Sequence, residues 1–230
     1  MKKPFILVIR YLFFLLLLHS ASIAQTNSKT APPEKFGIDF DLGLAVPAAK
    51  DVSNVFYTGG NISLGFKIAV LHSKKLWIKP VGAIKLYSKK AGDEKGVQET
   101  FRTSKAGIEL QYRAAERKKY SFYPVLRVDH NWCSNYFSKT YDYDFSTNSQ
   151  TIAVSDKFLK GTGYSFDAGI MIVRAPAFYL KIDYEYFKPS LNVHPDFIHE
   201  ALAAGIAVPA SASLNCSTVN IGVGINLNFK

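Results

Sequence analysis

Phe36-Gly37-Ile38-Asp39-Phe40-Asp41-Leu42-Gly43-Leu44-Ala45-Val46 carries a large apolar side chain at every even position and a small or acidic one at every odd position. Successive side chains of an extended chain point to opposite sides, so a period of two sorts these residues onto two faces of one strand. The pattern returns in Ile62, Leu64, Phe66, Ile68 and Val70, with Asn61, Ser63, Gly65, Lys67 and Ala69 between them. It closes the chain in Val219, Ile221, Val223, Ile225, Leu227 and Phe229, interleaved with Asn220, Gly222, Gly224, Asn226 and Asn228.

Between these anchors the same reading predicts strands near 77–87, 101–113, 120–132, 163–173 and 178–187. Phe178 to Phe187 is clear, while in 101–113 only Ile108, Leu110 and Tyr112 form an apolar stripe. The eight segments have the length that a tilted strand needs to span a bilayer. Links around 72–75, 114–119 and 174–177 are short, and those around 47–60, 88–100, 133–162 and 188–217 are long. Short periplasmic turns alternating with long external loops are the habit of small outer-membrane barrels, and an even strand count puts both ends on the short-turn side. Pro80 and Pro124 oppose the assignment, because a closed barrel has no free edge where a missing amide hydrogen goes unnoticed. A bulge near the periplasmic rim would accommodate them.

Lys2, Lys3 and Arg10, the apolar run Tyr11 to Leu18, and Ser22-Ile23-Ala24 before Gln25 have the form of a secretory signal peptide over residues 1–24. A polar, proline-containing tail over 25–34 and a single barrel domain over 35–230 follow. Removing three of 28 basic residues and none of the 18 acidic ones leaves 25 against 18, a net charge of +7. The basic residues are scattered, which suits anionic lipid headgroups and argues against nucleic acid.

The apolar set is rich in Phe, Tyr and Ile, while the opposite set has many glycines and makes a poor solvent coat. The reading therefore turns the apolar set to lipid and the polar set inward. Asp39, Asp41, Lys67, Lys79, Lys85, Glu109, Arg113, Arg127, Asp129, Asp167, Lys181, Asp183 and Glu185 all fall on that inward face, with signs that nearly cancel. Opposite charges pair in a narrow lumen, and eight strands leave room for little else, so the barrel is expected to be plugged.

The eight segments, the Ser22-Ile23-Ala24-Gln25 junction and the closing Asn220-Ile221-Gly222-Val223-Gly224-Ile225-Asn226-Leu227-Asn228-Phe229 resemble the small bacterial outer-membrane β-barrel superfamily of OmpA-like barrel domains and PorT-like proteins. The likeness covers nearly the whole chain after the signal. It implies an all-β, eight-stranded antiparallel up-and-down barrel in the cell outer membrane. It further implies that the terminal aromatic, here Phe229 followed by Lys230, is presented to the barrel-insertion machinery. No particular activity follows from it.

Three loop constellations bear on chemistry. His194, Asp196, His199 and Glu200 are metal-ligand types, yet Asp196 to Ala204 also reads as a capped helix, so no metal or other cofactor is expected. Cys133 and Cys216, the only cysteines, fall by parity on the inner face at the external end and are candidates for a disulfide in an oxidising compartment. Asp129, His130 and Ser134 have the residue types of a hydrolase, but adjacent strand positions face opposite ways, so no catalytic residues are assigned. Tyr136, Tyr141, Tyr143 and Phe145 form the candidate contact surface for a protein partner. The expected role is structural or interactive, with outer-membrane lipid as the other partner. The alternatives are a lipid-modifying outer-membrane enzyme and a soluble ligand-carrying barrel.

Overall fold

The computed structural model describes residues 35–70, 75–89, 97–117, 119–139, 154–174, 177–203 and 205–229. The expected signal peptide and tail lie outside them. In chain order the described elements are β1 Phe36–Pro47, α1 Lys50–Ser53, β2 Gly59–Ala69, β3 Leu76–Ser88, β4 Val97–Tyr112, β5 Ala115–Arg117 and β6 Tyr120–Lys139. They continue with β7 Val154–Arg174, β8 Phe178–Phe187, β9 Ser190–Val193, α2 Pro195–Ala203, β10 Ser211–Ser213 and β11 Thr218–Phe229. Eight of the strands close a barrel in the order β1-β2-β3-β4-β6-β7-β8-β11, every pair antiparallel. The seam is the β1–β11 pair, in register from Phe36↔Phe229 to Pro47↔Thr218. No described helix is long and apolar enough to cross a membrane.

The two faces are inverted relative to a water-soluble barrel. Phe66 is 45% exposed and Ile182 48%, while Lys67 is 2% and Asp183 6% exposed. An outer wall of Phe, Ile, Leu and Tyr with its charges inside is stable only where hydrocarbon, not water, bathes the outside. The chain is therefore an eight-stranded transmembrane barrel of the outer-membrane type. A soluble carrier with a greasy interior has the opposite arrangement and is excluded.

Strand lengths depart from expectation at the external end. β6 has 20 residues and β7 has 21, paired without interruption of the ladder from Tyr120↔Arg174 up to Lys139↔Val154, apart from a bulge at Asn135/Tyr136. About 10 residues suffice to cross the bilayer, so half of this hairpin stands beyond it. The stretches 133–139 and 154–162, read as loop from sequence, are strand. Apolar alternation records contact with lipid, and above the membrane the pairing continues while the alternation stops. β9 pairs with the upper part of β7 through Leu159↔Val193 to Thr162↔Ser190, and β10 adds to β9. The upper parts of β4, β6 and β7 with β9 and β10 thus make an external sheet continuous with the barrel wall.

Both prolines sit where the sheet withholds a partner. Val70 N donates to Leu76 O at 3.0 Å, so even-numbered β3 residues bond toward β2. The β2–β3 ladder is interrupted between Gly65↔Val81 and Ile68↔Ile78, opposite Pro80, without a register shift. Pro80 therefore sits in a local gap, not in the bulge expected from sequence. Pro124 does face a bulge. Gln111 pairs with Val125 and Ala115 with Phe122, so three residues, Tyr112, Arg113 and Ala114, oppose Tyr123 and Pro124.

Candidate functional site

The lumen is a charge network between two apolar layers. Each inward residue follows from strand parity, because the inner face of every barrel strand is the odd-numbered set until β11, where the even-numbered set turns inward. Toward the short-turn end, Asp39 meets Lys67 and Lys79 at 3.3 Å each and accepts from Gln111 Nε2 at 3.1 Å. Glu109 binds Lys79 at 2.7 Å and Lys181 at 2.5 Å, and Lys67 also donates to Asn226 and lies 5.1 Å from the Trp77 ring centroid. In the middle layer Asp41 accepts from Ser63 Oγ at 2.5 Å and Tyr179 OH at 3.0 Å, and Arg127 Nε bonds Asp129 at 2.7 Å. Asp183 accepts from Asn220 Nδ2 at 2.6 Å.

Above these, Lys105 is the hub, reaching Glu185 at 2.8 Å, Asp129 at 3.1 Å and Asp167 at 3.2 Å. Lys85 pairs with Glu185 and donates to Asn220 at 2.7 Å. Among the described residues this core holds six cations, Lys67, Lys79, Lys85, Lys105, Arg127 and Lys181. Seven acids face them: Asp39, Asp41, Glu109, Asp129, Asp167, Asp183 and Glu185, all but fully buried. Charges of both signs at this depth persist because each is held by several partners at once. Among the described residues a cavity of about 10 Å³, hardly room for one water, is bordered by Asp41, Lys85, Lys105, Arg127, Asp183 and Asn220.

The external mouth is closed by an apolar cluster that sequence reading did not anticipate. Ala45, Tyr87, Phe101, Cys133, Phe187, Leu191 and Cys216 line it, and α1 with the turn after it drops Val52 and Phe56 onto them. The Phe101 ring lies 5.8 Å from Phe56 and 6.2 Å from Tyr87. The inward parity of these residues was legible in the sequence, but the folding of the first long loop over the mouth was not. A second apolar patch, Val125, Met171 and Tyr179, lines the inner wall of β6, β7 and β8 toward the other end. Tyr179→Phe keeps that packing and strips the hydroxyl from Asp41. It is expected to destabilise the barrel by about 1.5–3 kcal/mol, the range for a hydrogen bond to a charged group. Urea unfolding in micelles reads this, and a change within roughly 0.5 kcal/mol of zero would mean that water replaces the hydroxyl at Asp41.

The structure places twelve of the thirteen predicted lumen charges inside. Arg113 is the correction: it keeps the parity of Glu109, its amide in register with Lys75 of β3, but it lies at the short-turn rim beyond the packed network, its side chain 30% exposed and 3.3 Å from Glu116. Lys105 and Gln111 were missed. Both share odd parity with Glu109, but Arg102, Ser104 and Ala106 on the other face gave no apolar stripe to orient the segment.

Cys133 and Cys216 share the mouth cluster as free thiols, Cys133 Sγ donating to Gly161 O at 3.3 Å. Burial holds the Cys216 thiol well above the ordinary range, so it stays protonated. Tyr141, Tyr143 and Phe145 lie outside the described residues; Tyr136 has its backbone in β6 and its side chain outside the description. Asp129 points into the lumen while His130 faces out, its ring 4.6 Å from Trp132 and 5.1 Å from Tyr164, so the two do not form a dyad. His194 Nδ1 stands 3.6 Å from Asp196, with His199 on the exposed side of α2. Among the described residues no group of three or more His, Cys, Asp or Glu could hold a metal ion.

No family model matches the chain, and no curated protein matches it. Among solved structures it is similar to a major outer membrane protein from Thermus thermophilus, with a TM-score of 0.48 and 12% identity over 86% of this chain and 100% of that one. It is also similar to OprG from Pseudomonas aeruginosa, with a TM-score of 0.42 and 14% identity over 88% and 100% of the two chains. Ail, the attachment invasion locus protein of Yersinia pestis, gives a TM-score of 0.40 and 14% identity over 84% and 97%. The transmembrane barrel is established by its hydrogen-bonded register and inverted faces, and these distant likenesses add nothing to it.

Proposed function

We propose that the chain is a sealed barrel of the bacterial outer membrane whose role is structural or interactive: it holds an external sheet and loops at the cell surface and carries out no turnover. The observation that carries this reading is the lumen, crossed by a network of buried, paired charges around a cavity of about 10 Å³ and capped by the mouth cluster. A solute path would require breaking several buried ion pairs at once, and removal of one partner of such a pair costs about 3–5 kcal/mol. What the barrel offers to the outside is the sheet of upper β4, β6, β7, β9 and β10 together with the loop bearing Tyr141, Tyr143 and Phe145. A protein partner is proposed there, and the β11 end with Phe229 is proposed as the contact for the barrel-insertion machinery.

The test is electrical. The folded, full-length protein in planar bilayers is expected to show no steady conductance and to give vesicles no uptake of small sugars. A stable open level would overturn the sealed barrel and favour a transport role.

A further inference from the structure

The short-turn rim is strongly and one-sidedly basic. It carries Lys35, Lys75, Arg113, Arg117, Lys119 and Arg174 against one described acid, Glu116. Arg113 is the one of these with an ion pair among the described residues, at 3.3 Å from Glu116. The cations form an arc. Arg113 N donates to Lys75 O at 2.6 Å, which joins β3 to β4. On the next strands one rung reads Arg117↔Tyr120↔Arg174, two guanidinium side chains flanking an aromatic one.

Cross-strand partners share a face, and Tyr120, 45% exposed, stands on the outer, lipid-facing wall. Directly behind it along β6 and β7 lie Phe122, Leu126 and Ile170, all exposed to the hydrocarbon. A ligand at this place meets cations at its polar end and apolar wall below, with an aromatic ring at the boundary between them.

We propose that the Arg117–Tyr120–Arg174 rung and Lys119 beside it bind anionic phospholipid headgroups of the periplasmic leaflet. The inference deepens the membrane-barrel reading and rests on it. The occupant is a lipid and not the periplasmic cell-wall polymer because the two arginines flank a residue of the lipid-facing wall. A polymer in the periplasm would be met by side chains directed away from the membrane.

The test uses the full chain folded into phosphatidylcholine vesicles containing spin-labelled phosphatidylglycerol or spin-labelled phosphatidylcholine. Their relative association constants are read from the motionally restricted fraction, and folding is checked in each sample by heat-modifiable electrophoresis. The wild type is expected to prefer phosphatidylglycerol, and R117Q/K119Q/R174Q is expected to lower that preference at least about tenfold, since one basic residue at an anionic surface accounts for roughly fivefold. K160Q/K188Q, at the opposite rim, is expected to leave it unchanged.

A folded wild type with no preference overturns the inference, as does a preference that survives the triple substitution or is lost in K160Q/K188Q. Binding to isolated peptidoglycan that needs the same three residues, without any lipid preference, overturns it in favour of the polymer. A wild type that does not enter vesicles at all overturns the membrane-barrel reading itself, which separates the two failures.

Discussion

Lys105→Met is expected to destabilise the barrel by about 3–5 kcal/mol, the loss associated with removing one partner from a buried ion pair. Lys105 touches three carboxylates, Glu185 at 2.8 Å, Asp129 at 3.1 Å and Asp167 at 3.2 Å. Methionine nearly matches its length and apolar stem, so packing changes little and the effect isolates the charge. Glu185 retains Lys85 and Asp129 retains Arg127, whereas Asp167 keeps only Arg127 at 3.9 Å. Asp167 should therefore dominate the deficit, and adding Asp167→Asn to Lys105→Met should recover part of it. Equilibrium urea unfolding, followed by the shift between folded and unfolded bands, measures both variants. A loss smaller than about 1 kcal/mol would mean that water enters the lumen readily enough to stand in for the ammonium, contrary to a sealed interior.

The second large effect is steric. At Gly107 in β4 an added Cβ would meet the Val128 carbonyl and the Asp129 carboxylate, with Asp129 Cα only 2.7 Å away. Two of these are backbone of the neighbouring strand, so no side-chain rotation relieves the contact, and β4 would have to part from β6 along a ladder that runs from Val97↔Lys139 to Gln111↔Val125. Gly107→Val is expected to lose about 3 kcal/mol or more, at the upper end for overpacking, and to reduce the folded fraction on insertion. Gly82→Val is the counterpart. A Cβ there has only the Lys105 carbonyl near it, at 3.8 Å, and it points to the outer wall. That substitution should fall within about 0.5 kcal/mol of wild type in the same assay. Equal losses at the two glycines would show that the inner seam is not tightly packed.

The two variants also separate what kind of information fixes the lumen. That Gly107 faces inward follows from its odd place between Lys105 and Glu109. That it must be glycine follows from Asp129 on the adjoining strand, 22 residues later in the chain, a contact that no local pattern reveals. Arg113 gives the converse case. Its parity with Glu109 put it among the lumen charges, and that parity holds, but at the end of β4 the packed network stops and the side chain meets Glu116 at the rim instead. The proline was visible in the sequence as a difficulty. The bulge that resolves it became visible only once β4, β5 and β6 were in register.

The sequence by itself determined which segments cross the membrane, which face each presents, and which ends share a side. These properties depend on alternation and spacing along the chain, and hydrocarbon selects strongly for both. Only the tertiary structure decided which charges meet, how α1 caps the mouth, and how far β6 and β7 rise beyond the bilayer. Those outcomes depend on strand register and on contacts between distant segments in water, where no solvent boundary imprints a repeating pattern on the residues.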